Sequence, residues 1–380
     1  MAYLRHGVDM QKKNMEYKEE TKNCQNCKKD FTIESDDFLF YEKIKVPPPT
    51  FCSYCRFARR MIWRNERSLH KRKCSMCDKN IVSLYDDQPT FQVFCSNCYR
   101  SDKWEAGEFS QDYRFDEPFF KQFKELFLKV SREALYQNNS IDSEYSNFVL
   151  NSKNVYLAFS VLNDCENVYF ASNVDGSKQI VDSYNIASSE LIYEGMGINK
   201  SYNCQYSYWP SSCIDCNFIL DCNNCQDCFG CVNLQNKRYC ILNEQYTKEQ
   251  YEEKLEEFNM GSYSFVENFK KEFWEFSLKF PRKYARITNC IDSTGDEIRN
   301  SNNTRNSFTC YGNENLKYGY RSPYSKDSMD VGHCWAEFAY EHALSGSENS
   351  QNVKFIINGG IGLKDVEYLD YCKSSSNLFG

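Results

Sequence analysis

The sequence lacks the apolar runs that mark export or membrane insertion. Its first 20 residues are polar, with no stretch of signal-peptide length, and no later window approaches a membrane span. This predicts a cytoplasmic protein, whose 21 cysteines are thiols or thiolates and not disulfides. Tyr and Phe are abundant, at 28 each, so we expect a folded chain and not a disordered one.

Catalytic signatures are also missing. The chain contains no Walker loop, no GxGxxG, no GxSxG and no HExxH motif. One cluster mixes histidine, cysteine and acid, but no Gly-rich oxyanion motif accompanies it, and we interpret it as part of a repeat. Its members are His333, Cys334, Glu337, Glu341 and His342. We therefore assign no catalytic residue and do not expect an enzyme.

Charge is unevenly distributed along the chain. Residues 1–104 hold 20 Lys and Arg against 14 Asp and Glu, a net +6, whereas residues 105–380 hold 26 against 39, a net −13. A basic head on an acidic body indicates that the head contacts polyanions while the body keeps the protein in solution.

Four CxxC pairs dominate the first hundred residues. They are Cys24/Cys27, Cys52/Cys55, Cys74/Cys77 and Cys95/Cys98. Zinc prefers four soft ligands at tetrahedral corners, and a CxxC turn offers two of them. Only His70 lies nearby as a competing ligand. We predict tandem zinc ribbons with two structural zinc ions. Chain order favours joining the first pair to the second and the third to the fourth, with a crossed arrangement left open. The segments DFLFYEKIKV and IVSLYDDQPTFQVF are predicted to supply the hairpin strands.

A basic segment connects the two predicted ribbons. We predict one helix from Arg56 to Arg72, because five cations recur at intervals of four, four, three and four. They are Arg56, Arg60, Arg64, Arg67 and Lys71. One interpretation is a stripe that contacts the phosphates of RNA or DNA. The alternative is that these cations neutralise zinc sites, each of which carries a charge of about −2 with four thiolates.

These motifs resemble an uncharacterised family of zinc-ribbon proteins, frequent in predicted proteomes of small-genome bacteria of the candidate phyla. The resemblance is carried by PPPTFCSYCRFARRMIWRNERSLHKRKC, by VFCSNCYRSDKWEAGEFSQDYRFDEPFFKQFKEL and by the later FPRKYARI and CFGC segments, and extends over nearly the whole chain. It implies the zinc sites and no established activity. Some relatives carry a coenzyme A transferase label, which no residue pattern of this chain supports.

The remainder of the chain is predicted to be a repeat with a helical interruption. An aliphatic or cysteine position recurs every 11–13 residues, often with Asn nearby and Tyr or Phe after it. We align it at Val155, Val168, Ile180, Leu191, Tyr202, Cys213 and Cys225, and again at Leu316, Ser328, Val353, Val366 and Leu378. Short strands at this period predict a parallel β-solenoid, or β-helix, with one or two units per coil. A β-propeller would need a longer period.

Two side-chain sets inside the repeat allow a second interpretation. Cysteines cluster at Cys213, Cys216, Cys222, Cys225, Cys228, Cys231 and Cys240, which suggests either a metal or iron–sulfur site or thiols that fill a narrow interior. We favour interior packing. Asp215, Asp221 and Asp227 could line one face of a sugar-cleaving β-helix, although the repeat itself also produces their spacing.

The predicted architecture is mainly β. Its regions are a polar leader (1–20), tandem zinc ribbons with the basic helix (21–104), a connector with a capping helix (105–140), a first β-solenoid part (141–242), a helical insertion (243–285) and a second β-solenoid part (286–380). The chain ends inside a repeat with no capping element, which predicts either a fragment or end-to-end pairing with another chain.

The predicted function is that of a cytoplasmic zinc-dependent binding protein. In this hypothesis the basic head contacts nucleic acid and the solenoid presents a surface to a protein partner. Alternatives are an interaction scaffold with purely structural zinc, and a carbohydrate-active β-helix.

Overall fold

The structure is a computed structural model that describes residues 17–63, 65, 68–88, 90–343, 350–357, 362–370, 372 and 374–379. The chain forms two compact units, residues 1–64 with 283–380 and residues 65–282. We call them the split unit and the central unit. The division lies inside the region 21–104, so each unit contains one of the two cysteine-rich modules and one segment of solenoid.

The regular elements are short. The helices are α1 (Ser35–Ile44), α2 (Ser53–Met61), α3 (Ser96–Tyr99), α4 (Phe119–Lys129), α5 (Lys248–Leu255) and α6 (Tyr263–Ser277), with a 3-10 helix at Ala106–Phe109. The strands before the helical insertion are β1 (Glu20–Asn23), β2 (Asp30–Ile33), β3 (His70–Lys73), β4 (Asn80–Ser83), β5 (Val93–Phe94), β6 (Arg132–Glu133), β7 (Gln137–Asn138), β8 (Tyr145–Leu150), β9 (Lys153–Leu162), β10 (Glu166–Tyr169), β11 (Ser172–Asp175), β12 (Lys178–Val181), β13 (Tyr184–Ala187), β14 (Glu190–Tyr193), β15 (Met196–Asn199), β16 (Tyr202–Gln205), β17 (Ile214–Asn217), β18 (Gln226–Phe229), β19 (Arg238–Ile241) and β20 (Glu244–Gln245). The strands after it are β21 (Ile287–Thr288), β22 (Gly295–Arg299), β23 (Asn302–Arg305), β24 (Ser307–Tyr311), β25 (Glu314–Lys317), β26 (Lys326–Gly332), β27 (Ala336–Ala343), β28 (Ser350–Lys354) and β29 (Lys364–Glu367).

The predicted parallel β-solenoid is confirmed. In the central unit, strand β10 pairs in parallel with β12, which pairs with β14, and the register joins Val168 to Ile180 and Ile180 to Ile192. A coil therefore contains 12 residues, and each coil contributes two short strands. In the split unit the same arrangement joins Leu316 to Ser328 and Val353 to Val366.

A three-residue period lies beneath the 12-residue coil. Val168, Ala171, Val174 and Ser177 are all buried and point into the coil. The residue before each inward position has a left-handed backbone, as at Asn173, where φ is 61°. Such a conformation costs an ordinary L-residue roughly 1–2 kcal/mol and is easiest for Gly, Asn and Asp. This explains why Asn and Asp recur through the repeat.

The strict period corrects part of our alignment. Val168 and Ile180 were placed correctly, but the next equivalent position is Ile192 and not Leu191. The next equivalent positions, each one coil further on, are Cys204, Cys216 and Cys228, in place of Tyr202, Cys213 and Cys225. The alignment drifted because chemically similar residues occupy inward positions only three residues apart.

Polar interior positions are satisfied between coils. Ser189 donates its hydroxyl to the carbonyl of Ala187 at 2.8 Å and accepts the N–H of Ser201 at 3.1 Å. At the corners, side-chain amides form ladders, for example from Asn173 to Asn185 at 2.6 Å. A buried hydroxyl that both donates and accepts a hydrogen bond can replace an aliphatic side chain without leaving a polar atom unpaired.

The helical insertion covers one corner of the first solenoid segment. Phe218 and Phe229 are fully buried there, and the ring of Phe269 on α6 lies 4.8 Å from each of them. Helix α5 begins with a capping box between Thr247 and Gln250. The aromatic face of the insertion therefore packs on the solenoid.

Candidate metal centres and the basic segment

The first cysteine module begins with the antiparallel hairpin β1–β2. At its tip the N–H of Cys24 donates to Lys29 O at 2.9 Å, and the N–H of Lys28 returns to Cys24 O at 3.0 Å, with Lys28 in the left-handed region. This tight turn places Cys24 and Cys27 together. The second pair lies at the start of α2, where Cys52 is the N-cap residue and Cys55 belongs to the first turn.

The second module repeats this geometry with a different sequence. The N–H of Cys74 donates to Lys79 O at 2.9 Å and that of Asp78 to Cys74 O at 3.0 Å. Cys95 is the N-cap of α3, and Cys98 lies within that helix. In both modules one cysteine pair thus lies at a hairpin tip and the other at a helix N terminus.

The sulfur atoms converge as the spacing predicts. Within each module, four Sγ atoms lie within 4.8 Å of one another. The two four-cysteine sets are Cys24, Cys27, Cys52 and Cys55, and Cys74, Cys77, Cys95 and Cys98. The sequential pairing of the CxxC motifs is confirmed and the crossed arrangement is wrong. His70 lies on β3 and belongs to neither set.

Backbone N–H groups point at one sulfur of each set. The N–H of Cys52 donates to Cys24 Sγ at 3.3 Å, and that of Cys95 donates to Cys74 Sγ at 3.2 Å. Burial raises the pKa of these two thiols, but the backbone donors outweigh it and lower the pKa of Cys24 and of Cys74 to about 6. Four convergent sulfurs with thiolate-stabilising donors fit a tetrahedral ion with soft ligands.

The elements between the cysteine pairs differ from our prediction. The segment DFLFYEKIKV forms helix α1 and not hairpin strands, because Glu34 and Asp37 form a capping box and Tyr41 and Ile44 bury one helical face. In the second module, β4 pairs with β3, but β5 pairs in parallel with β6 and not with β4.

The single basic helix from Arg56 to Arg72 is wrong. Helix α2 ends at Met61, and the side-chain oxygen of Asn65 accepts the N–H of Ser68 at 3.0 Å. Residues 70–73 form strand β3, because pairing with β4 outweighs helical periodicity. Arg64 and Arg67 lie outside the described residues, and Lys71 is exposed on the strand.

Two of the five cations are buried inside the split unit. Arg56 donates through Nε to Asp330 Oδ2 at 2.7 Å, and Arg60 donates through Nη1 to Asp330 Oδ1 at 3.1 Å. All three side chains are at least 96% buried. Asp330 lies on β26 of the solenoid segment, so these arginines attach the first module to the solenoid.

Further ion pairs surround this contact. Lys317 donates to Asp37 at 2.7 Å and to Glu34 at 2.9 Å, at the start of α1. Arg59 forms a close pair with Glu341 on β27. The sequence does not reveal these partners, because Arg56 and Asp330 are 274 positions apart.

The second module is attached by backbone pairing to the strand that precedes its solenoid segment. Strand β5 aligns Val93 with Arg132 and Phe94 with Glu133 on β6. The N–H of Leu84 donates to Ala134 O at 2.9 Å, and the Ser96 hydroxyl donates to Glu133 at 2.6 Å. Val93, Phe94 and Ala134 are buried.

The other candidate groups belong to the coils. Cys334 and His342 are buried, and burial lowers the pKa of His342 to about 3. Asp215 and Asp227 are one coil apart, whereas Asp221 lies half a coil away, so the three do not share one corner. The cysteines of the ladder are inward residues whose thiols donate to backbone carbonyls, for example Cys216 to Ile214 O at 3.1 Å.

Comparison with models of known protein families gives no match, and comparison with curated proteins finds no significantly similar sequence. The family resemblance noted from the sequence stays a prediction. None of the described helices combines the length and apolar character needed to cross a bilayer.

Proposed function

We propose that this protein is a zinc-dependent, non-enzymatic scaffold. In this proposal each four-cysteine set binds one Zn²⁺, and the ion holds its module on a solenoid segment whose outer face binds a protein partner. The observation that carries the proposal is the direct connection between the cysteines and the contacts that attach each module to the rest of its unit. Cys55 is followed by Arg56, which pairs with the buried Asp330, and Cys95 follows Phe94, which lies in the β5–β6 pair.

The chemistry of the sites supports zinc in a structural role. Four cysteines complete a tetrahedral coordination shell and leave no open position for substrate, which is the pattern of structural zinc sites. In such a site the protein side chains serve to position the elements around the ion. The cysteine pair at the start of α2 orients that helix, and α2 directs Arg56 and Arg60 toward the solenoid.

The outer face of the first solenoid segment supports a binding role. Tyr145, Tyr156 and Phe170 are 46%, 42% and 51% exposed. Their rings form a contiguous patch, with centroids 5.6 and 5.8 Å apart in succession. Exposed aromatic patches are typical of protein interaction sites.

The test is the metal content of the purified full chain and of three variants. We expect two zinc ions per chain, and the loss of one in Cys27→Ser and of one in Cys77→Ser. Cys310→Ser is the matched control, because Cys310 is a buried thiol of the solenoid. Zinc content that is unchanged in both module variants would contradict the proposal.

Strand β3 supports a second candidate, the binding of nucleic acid. Lys71 and Lys73 are two positions apart on this strand, so their side chains point to the same face, and both are exposed. This face could contact phosphates without the buried Arg56 and Arg60. Fluorescence anisotropy with labelled RNA and DNA over a salt series tests it.

Each phosphate contact contributes about −0.9 to the log–log salt slope, so Lys71→Ala/Lys73→Ala should flatten the slope by about 2. Lys178→Ala/Lys200→Ala, on the central unit's solenoid, is the control. The absence of binding at low salt by zinc-loaded protein would exclude this candidate.

A further inference from the structure

The interior of the first solenoid segment changes composition along its length. Its early coils are filled by Val, Ile, Ala and Ser, whereas its last coils are filled largely by thiols. Eight cysteines lie between residues 204 and 240, and each is at most 1% exposed. They are Cys204, Cys213, Cys216, Cys222, Cys225, Cys228, Cys231 and Cys240.

Four of these thiols form one continuous column. The parallel register aligns Cys204 with Cys216, Cys216 with Cys228, and Cys228 with Cys240. Neighbouring strands of a sheet are about 4.8 Å apart, which sets the step of the column. In the earlier coils the same column contains Val168, Ile180 and Ile192.

The step matches two-coordinate binding of a soft ion. Two metal–sulfur bonds of about 2.3 Å in line span about 4.6 Å, close to the spacing of neighbouring strands. Among the described residues, only the two four-cysteine sets of the modules bring three or more ligand atoms within 4.8 Å. The column therefore offers two sulfurs to each ion, an arrangement that suits monovalent d10 ions such as Cu(I) and Ag(I), which thiolates prefer.

We infer that the column Cys204–Cys216–Cys228–Cys240 is a binding site for up to two Cu(I) ions. One ion lies between the sulfurs of Cys204 and Cys216 and the other between those of Cys228 and Cys240, so each sulfur binds one ion. Four thiols release four protons to solvent, and four thiolates with two monovalent ions carry a net charge of −2. No oxidation or reduction of the protein is involved.

The geometry also indicates how the column ends and fills. The thiol of Cys240 lies 3.7 Å from the side-chain oxygen of Gln245, an exposed residue on the last hairpin. Lys237 and Arg238 are exposed beside this end and can balance the two negative charges. At the other end, Ile192 closes the column with an aliphatic side chain.

The experiment uses the zinc-loaded full chain under anaerobic, reducing conditions. Cu(I) is added in the presence of a competing chromogenic chelator, and copper and zinc per chain are counted after gel filtration. We expect two tightly held Cu(I) ions assigned to the column, with both zinc ions retained. X-ray absorption should report two sulfur neighbours for these ions.

Two variants and one control assign the ions. Cys216→Val/Cys228→Val keeps the column apolar, as at Val168, and should lose two Cu(I) ions relative to the unmodified chain. Cys228→Val leaves only the Cys204–Cys216 pair and should lose one, which provides a second test if the double variant does not fold. Cys165→Ser removes a buried thiol outside the column and should lose none.

Two results would overturn the inference. One is a number of bound copper ions per chain that is the same in both valine variants as in the unmodified chain. The other is copper uptake accompanied by equal zinc release, which would assign the ions to the four-cysteine sets of the modules alone.

Discussion

A single buried carboxylate holds two guanidinium groups in the split unit. Asp330 accepts from Arg56 and Arg60, and Nε and Nη2 of Arg60 have no hydrogen-bond partner among the described residues. Burying three charged groups has a large desolvation cost, so this Arg–Asp–Arg cluster adds little net stability to the fold. The loss of one member, however, leaves a buried charge without a counter-ion. The contact therefore specifies where the module binds more than how strongly it is held.

We expect Asp330→Asn to lower the free energy of unfolding of the split unit by about 3–5 kcal/mol, because two buried cations lose their counter-ion. Urea denaturation followed by a probe in this unit measures it. Glu314→Gln is the control, since the Glu314–Lys326 pair is half exposed and worth at most about 1 kcal/mol. Equal effects of the two substitutions would contradict the assignment.

His342 gives the split unit a pH dependence. Burial lowers its pKa from 6.5 to about 3. The unfolded chain binds this proton below pH 6.5 and the folded chain does not, so stability from the neutral imidazole is lost as pH falls from 6.5 toward 3. The slope from this group approaches about 1.4 kcal/mol per pH unit.

Replacement of the imidazole tests this dependence. In His342→Gln the fall in unfolding free energy between about pH 6.5 and 5 should be smaller than in the unmodified chain, by roughly 1–2 kcal/mol. His70→Gln, at an exposed strand position, should leave the fall unchanged. Urea denaturation at the two pH values gives both numbers, and an identical fall in all three proteins would refute the role of His342.

At the scale of elements, the backbone of the coils depends on close contact between neighbouring strands. Gly295 begins β22 with φ 135°, and a Cβ there would lie 1.8 Å from the carbonyl oxygen of Ser307 on β24. Gly295→Ala should therefore destabilise the split unit by more than about 2 kcal/mol through backbone strain and steric overlap. Gly107→Ala, which meets nothing within 4 Å, is the control in thermal unfolding. A melting temperature that Gly295→Ala leaves unchanged would argue against this packing.

The same scale shows what the sequence can predict. CxxC pairs form local turns, so their spacing was sufficient to find both four-cysteine sets. The repeat period was sufficient to find the solenoid, because every coil must bury one strip of its strands. The three-residue period was not predicted from the sequence. Ser, Cys and Val all occupy inward positions, so no single residue type marks them.

The failures have a common physical origin in long-range contact. The basic residues of 70–73 continue the helical periodicity of the arginines before them, but backbone pairing with β4 stabilises this segment as a strand. Arg56 and Arg60 look like surface cations until Asp330 is brought to them by a segment at the far end of the chain. Local patterns predict elements, whereas such partners depend on the whole fold.

At the scale of the whole molecule, each four-cysteine set belongs to a different compact unit with its own core. The core around Ile33, Tyr41 and Tyr340 includes the first module, and a separate core fills the central unit's coils. Loss of one proposed zinc ion should thus weaken one unit selectively, because a structural zinc site contributes its binding free energy to the fold that forms it.

Hydrogen exchange of single-site variants measures this selectivity. In Cys27→Ser, amide protection should fall in β25–β27 and persist in β12–β14. In Cys77→Ser the loss should appear instead around β5 and β6, where the second module pairs with the strand that precedes its solenoid segment. Cys310→Ser should change neither pattern beyond its own coil. Equal loss of protection in both units after removal of one ligand would mean that the two metal sets stabilise a single cooperative structure.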